Sequence, residues 1–273
     1  MTILVTGATG TIGRHLVEHL LGKSQQVRAL TRNPDGARLP DGVEVVKGDL
    51  MEPATLGAAL AGVRAMYLFP SSDQEGAVLE TQPEVVELAR EAGVSRVTYL
   101  TLYGEGPVED AIRQSGMQWS FIQPVGFMAN ALDDWRTPIR EKGEVRMLGG
   151  KVRSAIVHEA DIAAVAAATL VEDGHHERCY TLTGPELISP EEQVAIISQA
   201  IDRPITFVEL SEQEARARWV AQGYDEESIA FFVEIHSTPP AIGTTVVTTV
   251  EQVTGRPAQP FSAWVEQHRE AFL

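Results

Sequence analysis

Apolar and polar positions along the chain change period repeatedly, and the changes fall at glycines. Residues 3–5 form a short apolar run ended by a glycine cluster, after which Ile12, Leu16, Leu20 and Leu21 recur at helical spacing. That order predicts strand, turn and helix. Further apolar runs predict strands at residues 27–30, 43–46 and 65–69, with a helical stretch near 53–60. A stripe through Val78, Val85, Val86, Leu88 and Ala89 predicts a helix over 78–92 closed by Gly93, and residues 96–101 and 119–123 predict two more strands. Strands alternating with helices through short connections predict an α/β fold, a Rossmann-type doubly wound parallel sheet.

From residue 127 the pattern loosens. Residues 127–142 read as helix, 144–147 and 154–157 as short strands around Gly149-Gly150, 161–171 as an alanine-rich helix and 180–183 as one more strand. Beyond Gly184-Pro185 the helical candidates are 190–200, 212–219, 226–235 and 261–272, with 205–210 as the one strand-like run. The expectation is one NAD(P)-binding domain over 1–273. Its Rossmann core is expected at about 1–130 and 155–184, and a smaller, mainly helical substrate lobe at about 131–154 and 185–273.

Composition narrows the function. Lys plus Arg number 22 against 38 Asp plus Glu, a formal net charge of −16 at pH 7, so the average surface repels nucleic acid and anionic lipid. Neither is expected as a partner. Cys179 is the one cysteine, which excludes an internal disulfide and a cysteine-rich metal module and suits a reducing cytoplasm. No basic leader opens the sequence and no apolar run reaches the ~18 residues of a membrane span, so a cytoplasmic protein is expected.

The turn Thr6-Gly7-Ala8-Thr9-Gly10-Thr11-Ile12-Gly13 sits between the first strand and the first helix, where a glycine pattern has a mechanism. Gly7 permits the tight turn, Gly10 lets the backbone approach a pyrophosphate, and Gly13 lets helix and strand pack closely. The amides at the helix start favour an anion. Cofactor choice reads from the end of the second strand, where Thr31-Arg32-Asn33 stand about where an NAD site places an acid for the ribose 2′-hydroxyl. Arg32 can pair with a 2′-phosphate through its planar fork, so NADP(H) is expected over NAD(H). A ligand-free turn and a solvated arginine are the plainer alternatives.

These residues, with Val46-Lys47-Gly48-Asp49-Leu50, Ile112-Arg113-Gln114-Ser115-Gly116, the run from Phe121 to Asn130, and Val253-Thr254-Gly255-Arg256-Pro257, resemble the NmrA-like atypical group of the short-chain dehydrogenase/reductase superfamily. The resemblance covers nearly the whole chain. It implies that Thr6, Gly7, Thr9, Gly10, Thr11, Ile12 and Gly13 cradle the cofactor, and that Asp49 and Leu50 border its adenine. It further implies that Phe69, Pro70 and Ser71 line the ribose side and that Pro124, Val125, Gly126 and Phe127 lie by the nicotinamide. Gln123 stands where the family usually has arginine.

Most of the superfamily uses a tyrosine acid with a lysine four positions later. No tyrosine here has that partner: the positions four after Tyr67, Tyr99, Tyr103, Tyr180 and Tyr224 are Ser71, Tyr103, Pro107, Gly184 and Ser228. An unassisted tyrosine, with a pKa near ~10, is a poor acid at neutral pH, so ordinary alcohol dehydrogenase chemistry is disfavoured. Two accounts survive. One is an NADPH-dependent reductase of a quinone-like or conjugated carbonyl small molecule, where positioning carries most of the catalysis; the resemblance supports it, because the group includes quinone reductases without the pair. The other is a non-catalytic NADP(H) redox sensor acting through a protein partner. A sugar-nucleotide epimerase is weaker, since it most needs the absent pair.

Tyr103, two residues past the fifth strand, is the leading catalytic candidate as acid or substrate-orienting group, and Thr101 occupies about the position of the family's catalytic Ser/Thr. Phe127, Asn130, Trp135, Trp219 and Phe231 are expected to line the substrate pocket at the nicotinamide end. His158 reads first as a helix cap together with Asp161, and no metal site is expected. A homodimer is one compatible assembly.

Overall fold

The computed structural model describes residues 1–70, 83–101 and 106–273. Its strands are β1 (Thr2–Val5), β2 (Gln26–Thr31), β3 (Glu44–Lys47), β4 (Ala65–Leu68), β5 (Arg96–Leu100), β6 (Gln118–Pro124), β7 (Glu144–Met147), β8 (Arg178–Leu182) and β9 (Thr206–Glu209). The α-helices are α1 (Gly13–Gly22), α2 (Gly57–Leu60), α3 (Glu84–Glu91), α4 (Pro107–Gln114), α5 (Asn130–Lys142), α6 (Glu159–Val171), α7 (Pro190–Ala200), α8 (Glu212–Ala221), α9 (Glu226–Ser237), α10 (Thr249–Thr254) and α11 (Phe261–His268).

Seven strands pair in the order β3-β2-β1-β4-β5-β6-β8, each neighbouring pair parallel. The order reverses between β1 and β4, and the crevice beyond the carboxyl ends of strands at such a reversal is where open α/β sheets bind ligands. Val5 pairs with Tyr67, so the glycine turn after β1 meets Phe69 just past β4.

Both faces of the sheet are covered, which is why its strands read as continuous apolar runs. Along β1 the alternation sends Ile3 and Val5 into a cluster with Leu16 and Leu20 of α1 and Ile162 and Val165 of α6. Leu4 joins the opposite cluster with Met66, Val85 and Val86 of α3 and Ile112 of α4. Helix α6 is buried along nearly its whole length, and alanines at 163, 166 and 167 let α1 and the sheet approach it closely.

A third cluster lies beyond the sheet. It joins Trp135 and Ile139 of α5, Val145 of β7, Ile197 of α7, and Phe261, Trp264 and Phe272. Strands β7 and β9 form their own parallel pair inside this otherwise helical region. Helix α10, within the stretch expected to form the lobe, packs Val250 into the sheet's first cluster instead.

Several predicted elements change. The run at 154–157 is no strand, because its backbone groups bond outward to different segments: Ser154 N–H to Ile188, Ala155 N–H to Gly243 and Val157 N–H to Gly126. The helix expected from 127 starts at Asn130, since Phe127 bridges Val157 and the Met128 N–H donates to the Val157 carbonyl. Residues 53–60 divide into a 3₁₀ turn at Pro53–Thr55 and α2. Helices α4 and α10 were not evident in the pattern. The first residues of the helix expected over 78–92 lie outside the described residues, and α3 begins at Glu84. No helix among the described residues is long and apolar enough to cross a membrane.

Candidate active site

The glycine turn closes on itself. Gly7 has φ +61°, in the left-handed region, and its carbonyl accepts the Gly10 N–H at 2.9 Å. A Cβ on Gly13 would stand 2.1 Å from that same carbonyl oxygen, so α1 begins as near the turn as bare backbone allows. Thr9, Gly10 and Thr11 are exposed. Helix α1 has no side-chain cap and no acidic residue in its first turn, and although the Arg14 N–H donates to the Gly10 carbonyl at 3.2 Å, the positive end of the helix stays open to an external anion. The two other named members serve the frame: Ile12 is buried in the core, and the buried Thr6 hydroxyl donates to the Tyr67 carbonyl at 2.9 Å, tying β1 to β4.

The open turn, with Thr9, Gly10 and Thr11 exposed ahead of α1, has the form of a cradle that a dinucleotide's pyrophosphate would fit. Phe69 flanks the cradle: its ring lies 2.6 Å from where a Gly7 Cβ would be, and Pro70 beside it is buried. At the end of β2, Asn33 accepts the Gly36 N–H at 3.4 Å and opens a turn that carries Asp35 past the strand end. Arg32 is exposed and makes no hydrogen bond or ion pair among the described residues. Asp49 folds onto its own loop, accepting the Met51 N–H at 3.0 Å, while the Leu50 side chain is buried beside Leu4, Leu30 and Leu56. Ser71 lies outside the described residues.

At the other end, β6 runs into a bracket. Val125 N–H donates to the Leu182 carbonyl at 3.1 Å, and Val157 N–H donates to Gly126 at 2.9 Å. Pro124 and Val125 are buried, Gly126 is exposed and Phe127 is half-buried. Between this bracket and the third cluster opens a cavity of about 420 Å³, lined among others by Thr101, Phe127, Asn130, Trp135 and Phe231. Trp219 lines an adjoining cleft of about 320 Å³ that shares Asn130 and Trp135, and its ring stands 5.4 Å from that of Phe232. Four of the five expected substrate residues therefore meet in one cavity, and the fifth stands next to it.

The Thr101 hydroxyl donates to Oε1 of the buried Glu109 at 2.5 Å, and Glu109 Oε2 accepts the Gly106 N–H at 3.1 Å. This buried carboxylate behind Thr101 was missed in the sequence, although its place three residues after Gly106 marks a helix start. Tyr103 lies outside the described residues. Two further cavity residues were missed. The cleft walls desolvate Asp134 and push its carboxyl above the usual range, with Arg218 opposing and Asp133 adding to the shift. Burial pushes the His236 imidazole down to about 4, so it is neutral at pH 7. The helical spacing of Asn130 and Asp134 was the one available signal. His158 does cap α6, its Nδ1 accepting the Ala160 N–H at 3.1 Å, but Asp161 accepts from Gln259 instead.

Known proteins resemble the chain over nearly its whole length. The chain is 37% identical to (4-alkanoyl-5-oxo-2,5-dihydrofuran-3-yl)methyl phosphate reductase of Streptomyces griseus subsp. griseus, over 99% of each chain. It is 35% identical to NAD(P)H azoreductase of Xenophilus azovorans, again over 99% of each. The crystal structure of triphenylmethane reductase from a Citrobacter species complexed with NADP(H) matches 98% of this chain and 99% of that one, with a TM-score of 0.78 and 25% identity. The chain is an enzyme, an NAD(P)H-dependent reductase. With relatives of this kind along its full length and the NmrA-like family model matching residues 1–251, the chain belongs to the NmrA-like family.

Proposed function

We propose that this enzyme reduces a quinone-like or conjugated carbonyl small molecule with NADPH in preference to NADH, without a tyrosine–lysine relay. The observation that carries the reading is the cavity itself. It joins the nicotinamide end of the cofactor path, Pro124 to Phe127, to aromatic walls from α5 and α9, with the Asn130 amide among them. Flat acceptors suit aromatic walls, and one amide can fix their orientation through a carbonyl oxygen. The cofactor, when bound, supplies a hydride.

The chain's own residues hold and screen. Thr9 to Thr11 and the first amides of α1 take the pyrophosphate, and Arg32 takes the 2′-phosphate. Phe127, Trp135 and Phe231 exclude water from the acceptor's faces, and Thr101, fixed by Glu109, presents a polar edge to the cavity. Holding both reactants in register supplies the main rate advantage.

The test is NADPH oxidation by purified protein with quinones, enones, an azo compound and an oxo-dihydrofuran, with NADPH binding confirmed in the same sample. Quinone or enone turnover is expected. Bound NADPH that no acceptor oxidises would overturn the reading.

A further inference from the structure

We propose that Asp134 is the acid of the reaction, giving its proton to the atom of the acceptor that becomes electron-rich as hydride arrives. The inference rests on the reductase reading above and fills the place of the absent tyrosine–lysine pair.

Asp134 lies one helical turn beyond Asn130 on α5, a spacing that puts two side chains on one helix face. Both line the cavity that Phe127 and Phe231 line. Asp134 also borders the two clefts that adjoin it, and solvent reaches its side chain there, which gives a spent carboxylate a route to a new proton. It makes no hydrogen bond and no ion pair among the described residues, so no structural contact accounts for the carboxylate. Sharing its clefts are Asp133, Glu141 and Lys142 on its own helix, Glu144 and Arg146 on β7, Glu214 and Arg218 on α8, Tyr224 between α8 and α9, and His236 on α9. Desolvation outweighs Arg218 and holds the carboxyl above its usual range. His236 carries no spare proton at neutral pH and does not compete for the role.

The step balances. The acceptor gains two electrons with the hydride that the reduced nicotinamide supplies, and negative charge develops on its oxygen or α-carbon. The Asp134 O–H bond breaks, its proton bonds to that atom, and the electron pair stays on the carboxylate. Water at the cleft mouth then returns a proton. Cofactor and acceptor together exclude more water from the carboxyl, which favours its neutral form at the moment of transfer.

The experiment compares wild type with Asp134→Asn and Asp134→Glu on an enone and a quinone across pH. It also titrates the Asp134 carboxyl by ¹³C NMR, assigned against the Asn variant. Asp134→Asn is expected to lower kcat on the enone about 100-fold or more and on the quinone only a few-fold, because water can protonate a phenolate product. Asp134→Glu restores part of the loss. The wild-type rate falls as pH rises through the Asp134 pKa. Removing Asp133's charge (Asp133→Asn) moves that limb to lower pH, and removing Arg218's (Arg218→Gln) moves it to higher pH. Equal losses on both acceptors, or unchanged kcat and pH profile in Asp134→Asn, would overturn the assignment. If wild type turns over no acceptor, the reductase reading falls and the titration alone decides. A carboxyl titrating well above the ordinary aspartate value of about 3.9 supports a held proton, and one at or below it overturns the proposal.

Discussion

Replacing Gly13 by alanine puts a methyl 2.1 Å from the Gly7 carbonyl oxygen and 2.8 Å from the Ala8 Cα. Ordinary contacts between such atoms lie near ~3.5 Å, so α1 must retreat by roughly 1 Å. Retreat is resisted, because Leu16, Val17 and Leu20 of the same helix are fully buried in the sheet's first cluster. Overpacking of this kind costs about 1–3 kcal/mol, or roughly 2–10 °C in Tm for a chain this long. The same retreat carries the helix's amides away from the pyrophosphate, and losing one hydrogen bond to a charged group weakens NADPH binding about 10- to 100-fold. Gly10 separates the two effects. Its Cβ would lie 3.2 Å from the Gly7 oxygen, a contact that small shifts relieve, while the methyl occupies the exposed face where the phosphates must come. Gly10→Ala therefore loses affinity and keeps its Tm, whereas Gly13→Ala loses both. Thermal unfolding and nicotinamide fluorescence titration measure the pair. A Gly13→Ala protein with wild-type Tm and affinity would refute the reasoning.

Three further outcomes follow from the same geometry. Arg32→Ala weakens NADPH binding about 10-fold and leaves NADH binding unchanged, as parallel titrations will show; equal losses would remove the basis for NADPH preference. Ser189→Ala breaks the reciprocal cap of α7, in which Ser189 Oγ accepts the Glu192 N–H at 3.3 Å and Glu192 accepts the Ser189 N–H at 2.8 Å, and costs about 1 kcal/mol in urea unfolding. Burial holds the Tyr67 and Tyr99 phenols above their ordinary range, with Glu109's charge adding at Tyr99. The folded state thus keeps protons that the unfolded state gives up, so stability is full below about pH 10 and falls above it by up to ~1.4 kcal/mol per pH unit for each tyrosine. Replacing both by phenylalanine removes that alkaline slope.

The sheet was legible because each strand carries its own apolar run and each face is covered by a helix with its own stripe. The glycine turn was legible for a related reason: Gly7, Gly10 and Gly13 act through backbone geometry between one strand and one helix. Residues 154–157 misled because β-branched chemistry there serves burial, while the backbone partners come from Gly126, Ile188 and Gly243. Helix α4 was hidden by the buried Glu109, a charge on the face that should read as apolar. Asp134 and His236 were invisible for the deepest reason. Their properties arise only when α5, α8 and α9 fold around the cleft that adjoins the cavity, and no local pattern encodes that meeting.

The central claim is that a hydride passes from NADPH to an acceptor held between Phe127, Trp135 and Phe231. The most direct measurement supplies NADPH deuterated at the transferring position, adds an enone that the enzyme consumes, and reads the product by mass spectrometry. The account predicts one deuterium on product carbon for each NADPH oxidised, with labelled product forming more slowly when Gly10→Ala weakens cofactor binding. Product without label, or cofactor oxidation uncoupled from acceptor reduction, would contradict it.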